Sequence, residues 1–269
     1  MTAWPARAER RGTVPQMGAR TPEVDSSVIA DRNVERILVI VAHPDDAEFW
    51  AGGTIAGWTD TGIEVTYCVL TDGGGGGFDP DIPRSEIPHI RRTEQQQAAA
   101  MLGVREAHFL ESAEGSLLDD PRQLHENLVR VIRQARPQRV VTWSPEWNWQ
   151  RFRSCHPDHL ATGAAVLKAI YPDASNPFAL IHLKHDDGLE PWTVQEAWLI
   201  NSPQREINHY VDITATFDRK VTAVRAHASQ IKDPDTLADR LRQRIAPNTA
   251  AAGLPDGRLA EAFQVVVTG

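Results

Sequence analysis

The stretch Val34-Glu-Arg-Ile-Leu-Val-Ile-Val-Ala-His-Pro-Asp-Asp46 decides how the rest of the chain is read. From Ile37 to Ala42 it is apolar without alternation, the pattern of a strand covered on both faces in a parallel sheet. A polar turn, His43-Pro-Asp-Asp46, then leads into a helical period over residues 46–60, with Gly62 placed to stop it. The alternation repeats. Strand 63–70 precedes a loop and a helix over 91–102 that stops at Gly103. Short strand 107–110 precedes helix 122–136, ended by Pro137, and strand 139–143 precedes a helix from about 157 to 170. Four rounds of strand and helix predict an α/β fold, a doubly wound, mostly parallel, Rossmann-like sheet.

The C-terminal part reads as less regular. Residues 172–191 look like a long loop, 194–200 and 206–211 like strands, and 212–227 like a helix capped by Asp212 or Thr214. Residues 234–244 read as a second helix and 264–268 as a final strand. Residues 1–32 carry Pro5, Pro15 and Pro22 and no apolar period, so they are expected to form an irregular arm ahead of a single domain over 33–269.

Charge and composition narrow the function. With 28 Lys+Arg against 36 Asp+Glu, the net charge of −8 argues against a phosphate backbone as partner, so no nucleic acid is expected. Apolar runs fall far short of the roughly 20 residues that span a bilayer, so no membrane insertion is expected. Cys68 and Cys155 make no disulfide framework, and the N-terminus lacks the apolar core of a secretory signal; both read as a reducing, cytoplasmic setting. Oligomeric state is not legible, and a homo-oligomer is left open.

In an open parallel sheet, ligands bind beyond the carboxyl ends of the strands. Three of those ends carry polar groups: His43-Pro-Asp-Asp46 after the first strand, Thr71-Asp72 and the glycines Gly73 to Gly77 after the second, and His156-Pro-Asp-His159 in the loop after the fourth. A lone His-Pro-Asp is more often just a polar turn, but two copies at equivalent strand ends reverse that reading. Facing each other, the two turns could supply three N and O ligands and leave a position open, the catalytic rather than the structural zinc arrangement.

These residues carry a family resemblance. Ala42-His-Pro-Asp-Asp-Ala-Glu48 with Gly52-Gly53, Thr71-Asp72-Gly73, Arg91-Arg-Thr-Glu94 with Leu102-Gly-Val104, and His156-Pro-Asp-His159 together resemble the LmbE-like, or PIG-L, family of zinc-dependent N-acetylglucosaminyl deacetylases. A weaker echo is Ala226-His-Ala-Ser-Gln230. The resemblance implies that His43, Asp46 and His159 bind zinc, that Asp45 is the general base for a metal-bound water, and that His156 stabilises the oxyanion or acts as acid. Asp158 would orient His156 and raise its pKa, and Arg91 would contact the sugar. It further implies a small-molecule partner, an aminosugar conjugate that loses an N-acetyl or other short acyl group. The alternatives are a zinc amidase acting on a non-sugar amide and a binding module without turnover.

Other signals are weaker. The glycine run matches neither phosphate-loop pattern and is expected to be a flexible wall beside the substrate, with Asp72 a candidate contact. Trp143, Trp147 and Trp149 precede His156; Trp143 reads as packing for the sheet end, while Trp147 is a candidate platform for a sugar ring. His182 and His185 read as residues of a solvated loop. Cys155, next to His156, invites a nucleophile reading that the zinc constellation displaces.

Overall fold

The computed structural model describes residues 28–269, so the arm expected over 1–32 lies outside the described residues up to position 27. Seven strands form the sheet: β1 (Arg36–Val41), β2 (Glu64–Thr71), β3 (Glu106–Ser112), β4 (Arg139–Trp143), β5 (Glu196–Ile200), β6 (His209–Asp212) and β7 (Ala260–Val267). The α-helices are α1 (Asp46–Asp60), α2 (Ile87–Met101), α3 (Pro121–Ala135), α4 (Pro157–Lys168), α5 (Ile181–His185), α6 (Phe217–Arg225) and α7 (Leu237–Ala251). Strand order is β3-β2-β1-β4-β5-β7-β6. β1 to β5 pair in parallel, with Leu38 between Thr66 and Val140, and β7 runs antiparallel to both β5 and β6. The chain is an α/β protein with a doubly wound, mostly parallel sheet.

Burial explains the uninterrupted apolar strands. All of β1 after Arg36 is buried, and its side chains feed two cores on opposite faces. Val39 and Val41 join α1 and α2 on one face; Leu38 and Ile40 join α3 and α4 on the other. A third apolar cluster joins α6 and α7 through Phe217, Val224 and Leu241. Strand order reverses between β1 and β4, and their carboxyl ends open the crevice where this architecture binds ligands.

Several boundaries differ from the sequence expectation for identifiable reasons. Helix α2 begins at Ile87 because Pro88 sits in the first turn, where no backbone N–H is needed. Helix α7 continues through Pro247 to Ala251. The expected helix over 212–227 begins only at Phe217, since Asp212 ends β6 by accepting from the Thr214 N–H at 2.9 Å. Residues 172–191 hold the short helix α5 rather than a continuous loop. Strand β7 starts at Ala260, four residues before the expected 264, because it is inserted between β5 and β6.

A buried ion pair ties the C-terminal elements to α1. Lys220 Nζ bonds Glu261 and the Phe49 carbonyl at 2.8 Å, and both charged side chains are essentially inaccessible. Glu261 also accepts from the Gly53 and Thr54 N–H groups and the Thr54 hydroxyl, at 3.1, 2.8 and 2.6 Å. Gly53 is required at this junction, because a Cβ there would lie 2.7 Å from Ile213. Lys220→Met leaves Glu261 as an uncompensated buried charge. It is expected to lower stability by about 3–5 kcal/mol in denaturant unfolding, with Glu261→Gln added on top recovering part of the loss.

Candidate metal centre and active site

The first strand delivers its turn directly into the crevice. Asp45 adopts φ 106°, a left-handed conformation uncommon outside glycine, and this kink starts α1 with Asp46 turned back toward His43. Asp46 Oδ2 accepts from the His43 backbone N–H at 2.8 Å and from the Trp143 indole N–H at 3.0 Å, while Oδ1 lies 3.3 Å from His159 Nε2. Trp143 ends β4, and its ring stacks on His159 at 3.6 Å between centroids. Helix α4 can bring His159 this close only because residue 163 is glycine: a Cβ there would sit 2.3 Å from the Trp143 carbonyl oxygen.

Hydrogen bonds fix both imidazoles. His159 Nδ1 donates to the Ser154 carbonyl at 2.9 Å, so Nε2 faces inward as the acceptor of the neutral ring. His43 Nε2 donates to Asp158 Oδ2 at 3.1 Å, so Nδ1 faces inward likewise. The two inward nitrogens lie 3.1 Å apart, with the Asp46 carboxylate against both. With both rings neutral, three acceptors converge on one point, which a proton on His43 Nδ1 or a bound cation satisfies. The charge demand is visible in the titration of His43: its burial works against protonation, yet the hydrogen bonds to Asp158 and Asp46 carry the pKa up to about 10. Burial likewise opposes ionisation of Asp46, but His159 and His43 hold its pKa well below the ordinary carboxylate range. His43, Asp46 and His159 therefore suit a divalent metal ion.

Asp45 borders this cluster without joining it. Burial lifts its pKa to about 6 against the pull of Arg91, so the carboxyl gains and loses a proton close to neutrality. Arg91 is buried and donates to Asp45 Oδ2 at 3.2 Å, to the Pro44 carbonyl and to the Gly73 carbonyl at 2.9 Å, leaving its Nε unpartnered. The Asp45 N–H donates to Gln95 Oε1 at 2.9 Å. Gln95 Nε2 donates to Glu48 at 2.9 Å, and Glu48 meets the buried His227 at 3.2 Å.

A family model described as PIG-L, GlcNAc-PI de-N-acetylase, matches residues 38–170. Over 205 residues the chain is 33% identical to the diacetylchitobiose deacetylase of Thermococcus kodakarensis, covering 75% of this chain and 72% of that protein. The chain belongs to the PIG-L family. Within that family it is 31% identical over 198 residues to a probable N-acetyl-α-D-glucosaminyl L-malate deacetylase of Bacillus cereus, covering 72% of this chain and 83% of the relative. Its PIG-L fold superposes on the solved N,N′-diacetylchitobiose deacetylase of Pyrococcus horikoshii with a TM-score of 0.79 and 27% identity, covering 91% of this chain and 87% of that one.

Around the PIG-L centre, some expected residues stand differently from the sequence reading. Asp158 does not chiefly orient His156: its Oδ2 contacts His43 Nε2 and accepts from the Gly115 N–H at 2.8 Å, and lies 3.8 Å from His156 Nδ1. Nor is the His156 pKa raised. Burial and His43 lower it, outweighing Asp158, and its Nδ1 accepts from the Asp158 N–H at 3.2 Å. His156 is therefore a neutral, half-exposed ring at the rim, with Nε2 free to carry a proton.

Asp72 accepts from the Gly74 and Glu114 N–H groups at 2.9 and 3.1 Å and lines a cavity of about 360 Å³ with Pro44, His89 and Arg92. Trp147 stacks with Trp149 and Phe152, at 5.3 and 5.7 Å, on the exposed loop. Cys155 is buried against Asn148, and His182 pairs with Glu126. Among the described residues, His182 and His185 belong to no metal-capable cluster.

The glycine run is held in a hydrogen-bonded turn. Its carbonyls accept from Arg84 and Arg91, its N–H groups donate to Asp72, Glu114 and Gln230, and a Cβ on Gly73, Gly75 or Gly76 would approach Arg91 or Glu114 within 2.6 Å. The sequence reading took Trp143 as packing alone and missed its contact with Asp46, and Gly163 and Gln95 escaped it, because each acts through a contact distant in sequence. Trp143→Phe keeps the stacking ring and removes the indole donor to Asp46. It is expected to weaken metal affinity about 10–100-fold in competition titration against a chelator, with the fold intact by circular dichroism.

Proposed function

We propose that this chain is a metal-dependent N-deacetylase that removes an acetyl, or another short acyl, from the amine of an aminosugar conjugate. The observation that carries this reading is the convergence of His43 Nδ1, His159 Nε2 and the Asp46 carboxylate beside a separate carboxylate, Asp45, whose pKa burial sets near 6. Family membership supports it, since the relatives named above are deacetylases of aminosugars. Zinc is the ion proposed, as a set of two imidazoles, one carboxylate and no thiolate suits a catalytic zinc position. A divalent ion held there supplies a Lewis acid that polarises an amide carbonyl and makes water more acidic.

The chain's own residues do the rest. Asp45, ionised above about pH 6, takes the proton from the attacking water. Arg91 and Gln95 hold Asp45 in place from two sides, so the base keeps its position as its charge changes. His156 Nε2–H, at the rim, donates to the developing oxyanion, and Asp45 passes the proton it took from the water to the departing nitrogen. Asp158, held by the Gly115 N–H, fixes His43, and it acts on His156 through its backbone N–H and the charge of its carboxylate 3.8 Å away. Water adds across the amide C–N bond, and acetate and a free amine leave. Arg91 is proposed to contact the sugar, with Asp72 and Trp147 as outer contacts. Among the described residues no helix is long and apolar enough to cross a membrane, and two reduced cysteines suit a cytoplasmic setting.

Acetate release from N-acetylglucosamine conjugates by the zinc-loaded protein tests this reading. Asp45→Asn is expected to lower kcat by about 10²–10⁴-fold while elemental analysis still finds about one zinc per chain. Turnover that survives Asp45→Asn sinks the base assignment. His159→Ala is expected to lose both the metal and the activity; a full zinc complement in that variant rejects the ligand set.

A further inference from the structure

Beside the metal centre, two arginines stand without an acidic partner. Arg151, on the loop before α4, and Arg244, in α7, both face the ring of Trp50, their guanidinium carbons 5.8 and 4.0 Å from its centroid. Among the described residues neither guanidinium pairs with a carboxylate or donates to a protein acceptor, whereas Arg91 and Arg139 are engaged by carboxylates and carbonyls. Burial and the neighbouring Arg151 push Arg244 down to about 10, with Asp45 and Asp46 pulling the other way from a distance. Two half-buried like charges side by side are unfavourable until an anion joins them.

The surroundings are built to receive one. Both arginines line a cleft of about 40 Å³ with Asn201, Ser202 and Glu261, the Glu261 carboxylate being held by Lys220 and the Gly53 and Thr54 N–H groups; the cleft is large enough for a few waters or a small oxyanion and too small for a sugar ring. Ser202 Oγ and Asn201 Oδ1 are buried with no hydrogen-bond partner, on residues only 3% and 7% exposed. The first is a donor for an anion and the second an acceptor for a ligand hydroxyl. The same arginines line a groove of about 540 Å³ walled by Trp149 and Phe152. Trp50 meets Trp143 edge-on at 5.3 Å, and Trp143 stacks on His159, so the cleft lies two ring contacts from a metal ligand.

We propose that Arg151, Arg244 and Ser202 form a subsite for an anionic group, a carboxylate or a phosphate, carried by the aglycone of the aminosugar substrate. As a statement about substrate the proposal rests on the deacetylase reading; anion binding itself does not. Steady-state kinetics of the zinc-loaded protein on three N-acetylglucosamine substrates tests it: the neutral methyl glycoside, a glycoside of a hydroxy acid linked through its hydroxyl oxygen, and the 1-phosphate. The wild type is expected to favour one acidic substrate over the neutral one by about 10–100-fold in kcat/KM. Arg244→Gln and Arg151→Gln should each remove most of that ratio, and Arg244→Lys should restore part of it. Which acidic substrate is favoured distinguishes carboxylate from phosphate.

A second arm follows tryptophan fluorescence while malonate or inorganic phosphate is added, with quenching expected in the wild type and lost in Arg244→Gln. Quenching of that kind in a protein that deacetylates none of the three substrates upholds the anion site and overturns the deacetylase reading. Equal kcat/KM on neutral and acidic substrates, or a preference that survives both glutamine variants, overturns the subsite and leaves the deacetylase reading standing.

Discussion

Three hydrogen-bond acceptors, two imidazole nitrogens and a carboxylate, point at one another across the crevice between β1 and β4. With both rings neutral, no described residue donates into that point, so a positive charge there, whether a proton on His43 or a bound cation, relieves the clustered acceptors. Each surrounding contact enforces it. Ser154 and Asp158 take the outward protons of His159 and His43, and Trp143 and the His43 backbone hold the Asp46 carboxylate. The parallel sheet supplies the rest, because it brings the carboxyl ends of β1 and β4 side by side at the reversal of strand order.

Around this centre two adjacent carboxylates stand in opposite electrostatic settings. Asp46 has its pKa held low by two imidazoles, whereas Asp45 has its pKa raised by burial despite Arg91. Adjacent carboxylates thus take different parts because the left-handed backbone at Asp45 turns them to opposite partners. Behind Asp45, the buried run through Gln95, Glu48 and His227 links α1, α2 and the segment after α6. This accounts for the C-terminal motif Ala226-His-Ala-Ser-Gln230: His227 meets Glu48, Ser229 meets Glu94, and Gln230 meets the glycine loop.

The glycine run illustrates how a sequence signal can be seen and misread. Five consecutive glycines look like freedom, but here they create room: Arg91 and Glu114 occupy the space where three of the Cβ atoms would be. Arg91 is thereby held against Asp45, and the loop is held by its own hydrogen bonds.

The sequence by itself determined the parallel sheet, the crossover helices through α4 and the two His-Pro-Asp turns, since apolar period and turn chemistry are local properties. That the ends of β1 and β4 face each other is decided by the strand order, while His43, Asp46 and His159 were legible as candidate ligands from the two turns and their family pattern. Tertiary structure alone decided the antiparallel insertion of β7, because pairing with β5 and β6 depends on partners about 50–70 residues away. It also decided that Trp143 serves Asp46, that Gly163 admits His159, that Asp158 serves His43 more closely than the His156 ring, and that Arg151 and Arg244 both approach the Trp50 ring. Those are contacts between side chains brought together by packing, and no periodicity along the chain encodes them.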